Sequence, residues 1–131
     1  MDRFDDEIEE LISSVIRSAI RVHKALGPGL PEVTYGNALE LVLKSDGIPY
    51  EREHRFEVLF DGQRAGEGRI DFWVGSRLVV EDKAKRAFDL TDIAQVIGYL
   101  SHKKEPVGLL LNFNVAVMKD GIRRVIRTKD M

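Results

Sequence analysis

Gly68-Arg69-Ile70-Asp71-Phe72-Trp73-Val74-Gly75-Ser76-Arg77-Leu78-Val79-Val80-Glu81-Asp82-Lys83 is the stretch whose register decides how this chain folds. Two strand-like runs, Gly68 to Val74 and Leu78 to Lys83, flank turn-forming residues. A two-residue turn at Gly75-Ser76 would pair Val74 with Arg77 and set Asp71 opposite Val80. Because side chains alternate along a strand, Asp71 and Glu81 would then point to opposite faces. A three-residue turn, Gly75 to Arg77, pairs Val74 with Leu78, Phe72 with Val80, and Asp71 with Glu81. It also gathers Ile70, Phe72, Val74, Leu78 and Val80 on one face, leaving Asp71, Trp73, Glu81 and Lys83 on the other. Hydrophobic patterning therefore selects the three-residue turn, and the same choice brings two carboxylates together beside an ammonium group.

Such a pair can hold one hard divalent cation through oxygen ligands. A neighbouring lysine can orient a water or stabilise charge for attack on a phosphodiester. Without a cation the two carboxylates repel, and each raises the other's pKa. A plainer reading of the same residues has Lys83 pairing with Asp71 or Glu81 on a solvated face.

Working outward, Ile8, Leu11, Ile12, Val15, Ile16, Ala19, Ile20 and Val22 to Leu26 keep a helical period, which predicts a helix from about Asp5 to Leu26. Gly27-Pro28-Gly29 ends it, and Pro31 opens a second helix that runs to about Ser45. Arg55 to Phe60 is a further strand, joined through Asp61-Gly62 to the stretch quoted above. Phe88 to Lys104 returns to helix with Asp89 or Thr91 as its N-cap. Val107 to Phe113 reads as a strand buried on both faces, and Val115 to Ile126 as a hairpin turning at Asp120-Gly121. The order ααβββαββ predicts an α/β sandwich with a mixed central sheet.

On the third helix Ile93, Val96, Ile97 and Leu100 form the apolar stripe. Asp92, Gln95, Tyr99 and His102 form a second stripe on another side. Gln95 and Tyr99 can hold a phosphate or a metal-bound water near the acids; equally they read as a solvated glutamine and a partly buried tyrosine. Glu32 suits a helix first turn through the dipole alone, or supplies a third carboxylate to the cation. Tyr35, one turn on, packs under its helix or hydrogen-bonds into the site. Lys83, Lys85 and Arg86 form a basic cluster that suits a phosphate backbone, as an exposed loop would. His23 and His54 read as structural or solvated, and Gly66-Glu67-Gly68 as a bulge.

The 131 residues suffice for one domain with its own core. The absence of cysteine excludes thiol catalysis and cysteine zinc sites and fits a reducing cytosol. No apolar run reaches the length of a bilayer span, and Met1 to Glu10 lacks a secretion signal's basic start and apolar stretch. The formal net charge of −2 argues against simple coating of nucleic acid. Residues 1–10 carry a balance of −5, however, and the segment from Ser101 onward one of +4, a mild basic bias. The acidic first helix has enough apolar character to join a homodimer interface.

Taken together these residues resemble the PD-(D/E)xK nuclease superfamily, and within it the small bacterial and archaeal proteins named for a GxxExxY signature. That signature stands here as Gly29-Leu30-Pro31-Glu32-Val33-Thr34-Tyr35, the nuclease motif as Asp71 and Glu81-Asp82-Lys83, and the Gln-x-x-x-Tyr element as Gln95 to Tyr99. Leu109 to Phe113 resembles the family's late strand. The resemblance implies a restriction-endonuclease-like αβββαβ core, preceded here by an extra N-terminal helix (residues 1–27) and followed by a C-terminal hairpin. It further implies magnesium- or manganese-dependent phosphodiester hydrolysis, with nucleic acid (DNA first) as partner, in the cytoplasm. Asp71, Glu81 and the backbone carbonyl of Asp82 become metal ligands and Lys83 the catalytic lysine. Glu32 becomes an additional acid, with Gln95, Tyr99 and Tyr35 in support and Lys85 and Arg86 on the nucleic acid. Ile70 stands where the superfamily's name has proline, and Asp82 where an apolar residue is usual, so its side chain should face away from the site. A non-catalytic nucleic-acid-binding or protein-interaction module on the same fold is the alternative.

Overall fold

The turn between the two central strands has three residues, Gly75 to Arg77, and pairs Val74 with Leu78 and Phe72 with Val80, as the hydrophobic pattern requires. Gly75 (φ +58°) and Ser76 (φ +55°) supply the left-handed backbone that reverses the chain. In the computed structural model, which describes residues 3–128, this hairpin lies within a five-stranded mixed sheet.

The elements are α1 (Asp6–Leu26), α2 (Glu32–Ser45), β1 (Tyr50–Phe60), β2 (Gln63–Val74), β3 (Leu78–Lys83), α3 (Leu90–Lys103), β4 (Val107–Asn112) and β5 (Ile122–Ile126), with a 3-10 turn at Met118–Gly121. The strands lie in chain order; β3 and β4 are parallel, joined through α3, and the other neighbours are antiparallel. Helices cover both faces, giving a three-layer sandwich.

Ile8, Ile12, Val15, Ala19 and Val22 of α1 pack with Tyr35, Leu39 and Leu43 of α2 against Phe72, Val74, Leu78, Val80, Leu109 and Leu111. On the other face Val96 and Leu100 of α3 meet Ile70, Trp73, Val79, Leu110 and Val125. The apolar stripe of α1 is thus used inside its own core. Its acids are also engaged. Arg77 Nη1 bonds Asp5 Oδ1 at 2.8 Å and Glu7 Oε1 at 3.0 Å, while Nη2 reaches Glu105 Oε1 at 3.3 Å. Glu9 receives both terminal nitrogens of Arg124, at 3.0 and 2.7 Å.

The expected C-terminal hairpin does not form. Only its second arm is a strand, β5, and that arm pairs with β4. The physical reason lies at Gly121, where an added Cβ would collide with the Asn112 carbonyl oxygen; the chain is folded tightly back onto the end of β4 instead of running out into a free turn. The bulge expected near Gly66 is present: Val58 pairs with Gly66 but Leu59 with Arg64. No helix among the described residues is long and apolar enough to cross a membrane.

Candidate metal centre and active site

Beyond the Phe72–Val80 pair the backbone ladder between β2 and β3 stops, and carboxylates make the cross-strand bonds. The Asp71 N–H donates to Glu81 Oε2 at 2.6 Å, and the Asp82 N–H donates to Asp71 Oδ2 at 3.1 Å. Side-chain alternation breaks at the same place. Ile70 packs with Trp73 on the α3 face, while Phe72 packs on the α1/α2 face, so the expected grouping of Ile70 with Phe72 and Val74 is corrected. On β1, Glu53 falls between the Arg52–Phe72 and His54–Ile70 pairs with φ +51°, a conformation few non-glycine residues adopt.

This distortion determines which acids meet. One carboxylate oxygen each from Glu32, Asp71 and Asp82 lie within 4.8 Å of one another. The expectation that the Asp82 side chain faces away is therefore wrong. Two positions after Val80 it shares the face covered by α2, and the irregularity at Asp71 turns that carboxylate toward the same side. Gly36 makes room for it. A Cβ there would stand 3.2 Å from Asp82 Oδ2 and 2.7 Å from Arg52 Nη2.

The electrostatics agree that this cluster is short of positive charge. Burial first, then the Asp71 charge, push Glu81 up to about 8. Burial, then Asp71 and Glu32, push Asp82 up to about 8. Burial also raises Asp71 above its ordinary value, against the Asp82 N–H and the Lys83 ammonium, which pull it down. Glu32 is raised by burial and opposed most by Lys83. Glu32, Asp71 and Asp82, each raised first by burial and offering only hard oxygen donors, suit a hard divalent cation, with Glu81 bonded beside them to the Asp71 N–H.

Lys83 ends β3 beside Asn112 of β4, and its charge bears on Glu32, Asp71 and Glu81. The Tyr99 hydroxyl is raised by burial and then by the Glu81 charge, which places it on the Glu81 side; its ring meets Phe56 edge-on at 5.7 Å. Gln95 is exposed and makes no hydrogen bond to the acids among the described residues.

Two other expected site residues do different work. Tyr35 is fully buried, stacked on Phe113 at 4.8 Å; its hydroxyl donates to the Gly27 carbonyl at 2.5 Å and accepts the Leu30 N–H at 3.1 Å. It therefore fixes the loop that leads into α2, and Glu32 with it, and does not enter the site. The Lys85 ammonium is bound to Asp92 at 2.9 and 3.1 Å and to Asp89 at 3.4 Å, so it is tethered to the start of α3 instead of standing free for a phosphate; Arg86 is exposed.

Four residues escaped the sequence reading. Asn112 accepts the Lys85 N–H at 3.1 Å and donates to the Lys85 carbonyl at 2.8 Å, locking the loop after β3. A polar residue closing an otherwise apolar strand was the available signal. Arg52, Glu53 and Arg69 line a pocket of about 170 Å³ with Glu32, Val33, Asp71 and Asp82. Arg52 Nη1 bonds Asn37 Oδ1 at 2.7 Å and Glu40 Oε1 at 3.0 Å. Their alternation with acids along β1 and β2 reads as ordinary strand decoration.

An acid cluster at the opened end of a β-hairpin, backed by helices on both faces of a mixed sheet, defines a restriction-endonuclease-like fold. The PD-(D/E)XK nuclease superfamily model matches residues 9–125, and the chain belongs to that superfamily. No curated protein and no solved structure matches the chain.

Proposed function

We propose that residues 1–131 act as one metal-dependent nuclease domain of the GxxExxY type, hydrolysing phosphodiester bonds in nucleic acid, with DNA as the first substrate class to test. The observation that carries this reading is the convergence of Glu32 from α2 with Asp71 and Asp82 from the two strands, Glu81 alongside. Asp71, Glu81, Asp82 and Glu32 would hold magnesium or manganese, with Asp82 contributing its carboxylate in addition to its carbonyl. The bound ion supplies Lewis acidity and lowers the pKa of a coordinated water. Lys83 orients the attacking water and offsets charge that develops on the phosphoryl group. Tyr99 steadies Glu81 from the α3 side, Gln95 faces the substrate side of the same helix, and Arg86 offers a charge to the phosphate backbone. A cysteine-free chain suits cytoplasmic conditions.

The tethering of Lys85 favours one competing reading, a non-catalytic module that keeps the fold. Cleavage assays on single- and double-stranded DNA and RNA with magnesium or manganese separate the two. Wild-type protein should cut, and Lys83→Ala and Asp71→Asn should lose cutting. Cleavage that persists unchanged in both variants overturns the nuclease assignment, and divalent uptake without cleavage points to the module.

A further inference from the structure

The pocket over the acid cluster holds two guanidinium groups, and they are not equivalent. Arg52 is committed to Asn37 and Glu40 on α2. The Arg69 guanidinium has one partner among the described residues: its Nη1 bonds Glu53 Oε1 at 2.7 Å. We propose that Arg69 is the residue that grips a backbone phosphate of the nucleic acid, and that Glu53 occupies it until that phosphate displaces the carboxylate. The inference rests on the nuclease reading and names the residue through which that same site takes its substrate.

Three observations carry it. The Arg69–Glu53 pair lines the same pocket as Glu32, Asp71 and Asp82, so a phosphate bound there lies beside the acid cluster. Both side chains are about half exposed, 50% and 56%, and an ion pair so exposed adds little to the fold and exchanges readily. Glu53 is also held at φ +51° in mid-strand, next to Asp71. Backbone strain of that kind persists where the surroundings impose it, and it clusters at ligand clamps. A carboxylate and a phosphate both offer anionic oxygens to a guanidinium, so the Glu53 oxygen on Arg69 Nη1 stands in for the ligand. The pocket lining has more carboxylates than guanidinium groups, so a phosphate entering it depends on whichever guanidinium can be freed.

The test is fluorescence anisotropy of a labelled DNA oligonucleotide, with calcium replacing magnesium so that binding is read without cleavage. Glu53→Gln should bind about tenfold more tightly and Arg69→Ala about tenfold more weakly, the range of one charge-assisted contact. Arg69→Ala should also make the slope of log affinity against log salt shallower by ~0.7–0.9, one phosphate contact. Arg69→Lys should recover part of the affinity, and the double variant should match Arg69→Ala. Should Arg69→Ala fail to fold, the weaker binding of Arg69→Lys and the tighter binding of Glu53→Gln carry the test. Wild-type binding that neither substitution changes overturns the Arg69 assignment and leaves the nuclease reading standing. Absence of binding in every variant, wild type included, overturns both.

Discussion

The main-chain N–H of Asp71 donates to the side chain of Glu81 across the hairpin, at 2.6 Å, and not to a strand carbonyl. One acid thereby fixes the backbone of the other. The two residues behave as a unit: removing the Glu81 carboxylate leaves a partly buried N–H unsatisfied as well as deleting a charge. From this coupling and the groups around it the following outcomes are expected.

Uptake of a divalent ion should strengthen as pH rises through about 8. Glu81 and Asp82 are held up near that value, so below it the ion must expel protons to bind. The sign for stability is the opposite. The folded protein retains protons that the unfolded chain releases near 4.5 for Glu81 and 3.8 for Asp82. Ion-free stability should therefore fall as pH climbs from about 4 to about 8. Thermal melts across that range, with and without manganese, check both signs; the ion should flatten the decline.

Asp82→Leu should stabilise the ion-free protein by about 1–2 kcal/mol, because it replaces a buried carboxylate crowded by Asp71 and Glu32 with an apolar side chain. The same change should weaken divalent binding by about tenfold or more, as one hard ligand is lost. Denaturant melts and calorimetric titration read the two effects separately. Unaltered ion affinity would assign the carbonyl alone to the ion.

Tyr35→Phe should cost about 1–2 kcal/mol, since the Leu30 N–H and Gly27 carbonyl both lose their partner while the stack on Phe113 survives. Because that loop sets the start of α2, ion affinity should fall modestly through Glu32, with catalysis at saturating metal little changed. Denaturation curves and a metal titration of activity distinguish this anchoring role from a direct one.

Glu9 should govern acid stability. The Arg124 guanidinium, then the Phe4 N–H, hold its carboxyl down at about 2, below the ordinary 4.5. A depressed carboxylate stabilises above the unfolded value and loses that contribution as pH falls through the folded one, here from about 4.5 to about 2. Melts over this window should show a steeper decline in the wild type than in Glu9→Gln.

The register of the central hairpin was legible because two independent constraints, turn length and hydrophobic alternation, agree on it. The order of the elements followed from periodicity and from breakers such as Gly27-Pro28-Gly29. What could not be read was the end of the ladder. Alternation assumes backbone pairing, and at Asp71 carboxylates take over the rungs, so the period carried past Phe72 puts Asp71 on the wrong face, away from Asp82. For Tyr35 and Lys85 the choice between two readings was out of reach for a different reason. Their side chains are claimed by groups distant in sequence, Phe113 for one and Asp92 for the other, which no local pattern reveals. The second strand of the supposed C-terminal hairpin was found, but its partner depended on how closely Gly121 approaches Asn112.

Arg77 sits at the turn end of the hairpin, tied to both the beginning of α1 and Glu105 beyond α3, while the acids gather where β2 and β3 part. The pair of strands is built like tongs, riveted at one extremity with its jaws at the other. Amide exchange should accordingly be slowest around Val74 and Leu78 and quicken toward Asp71 and Asp82, letting the jaws widen for a bulky polymer while the hinge keeps its packing.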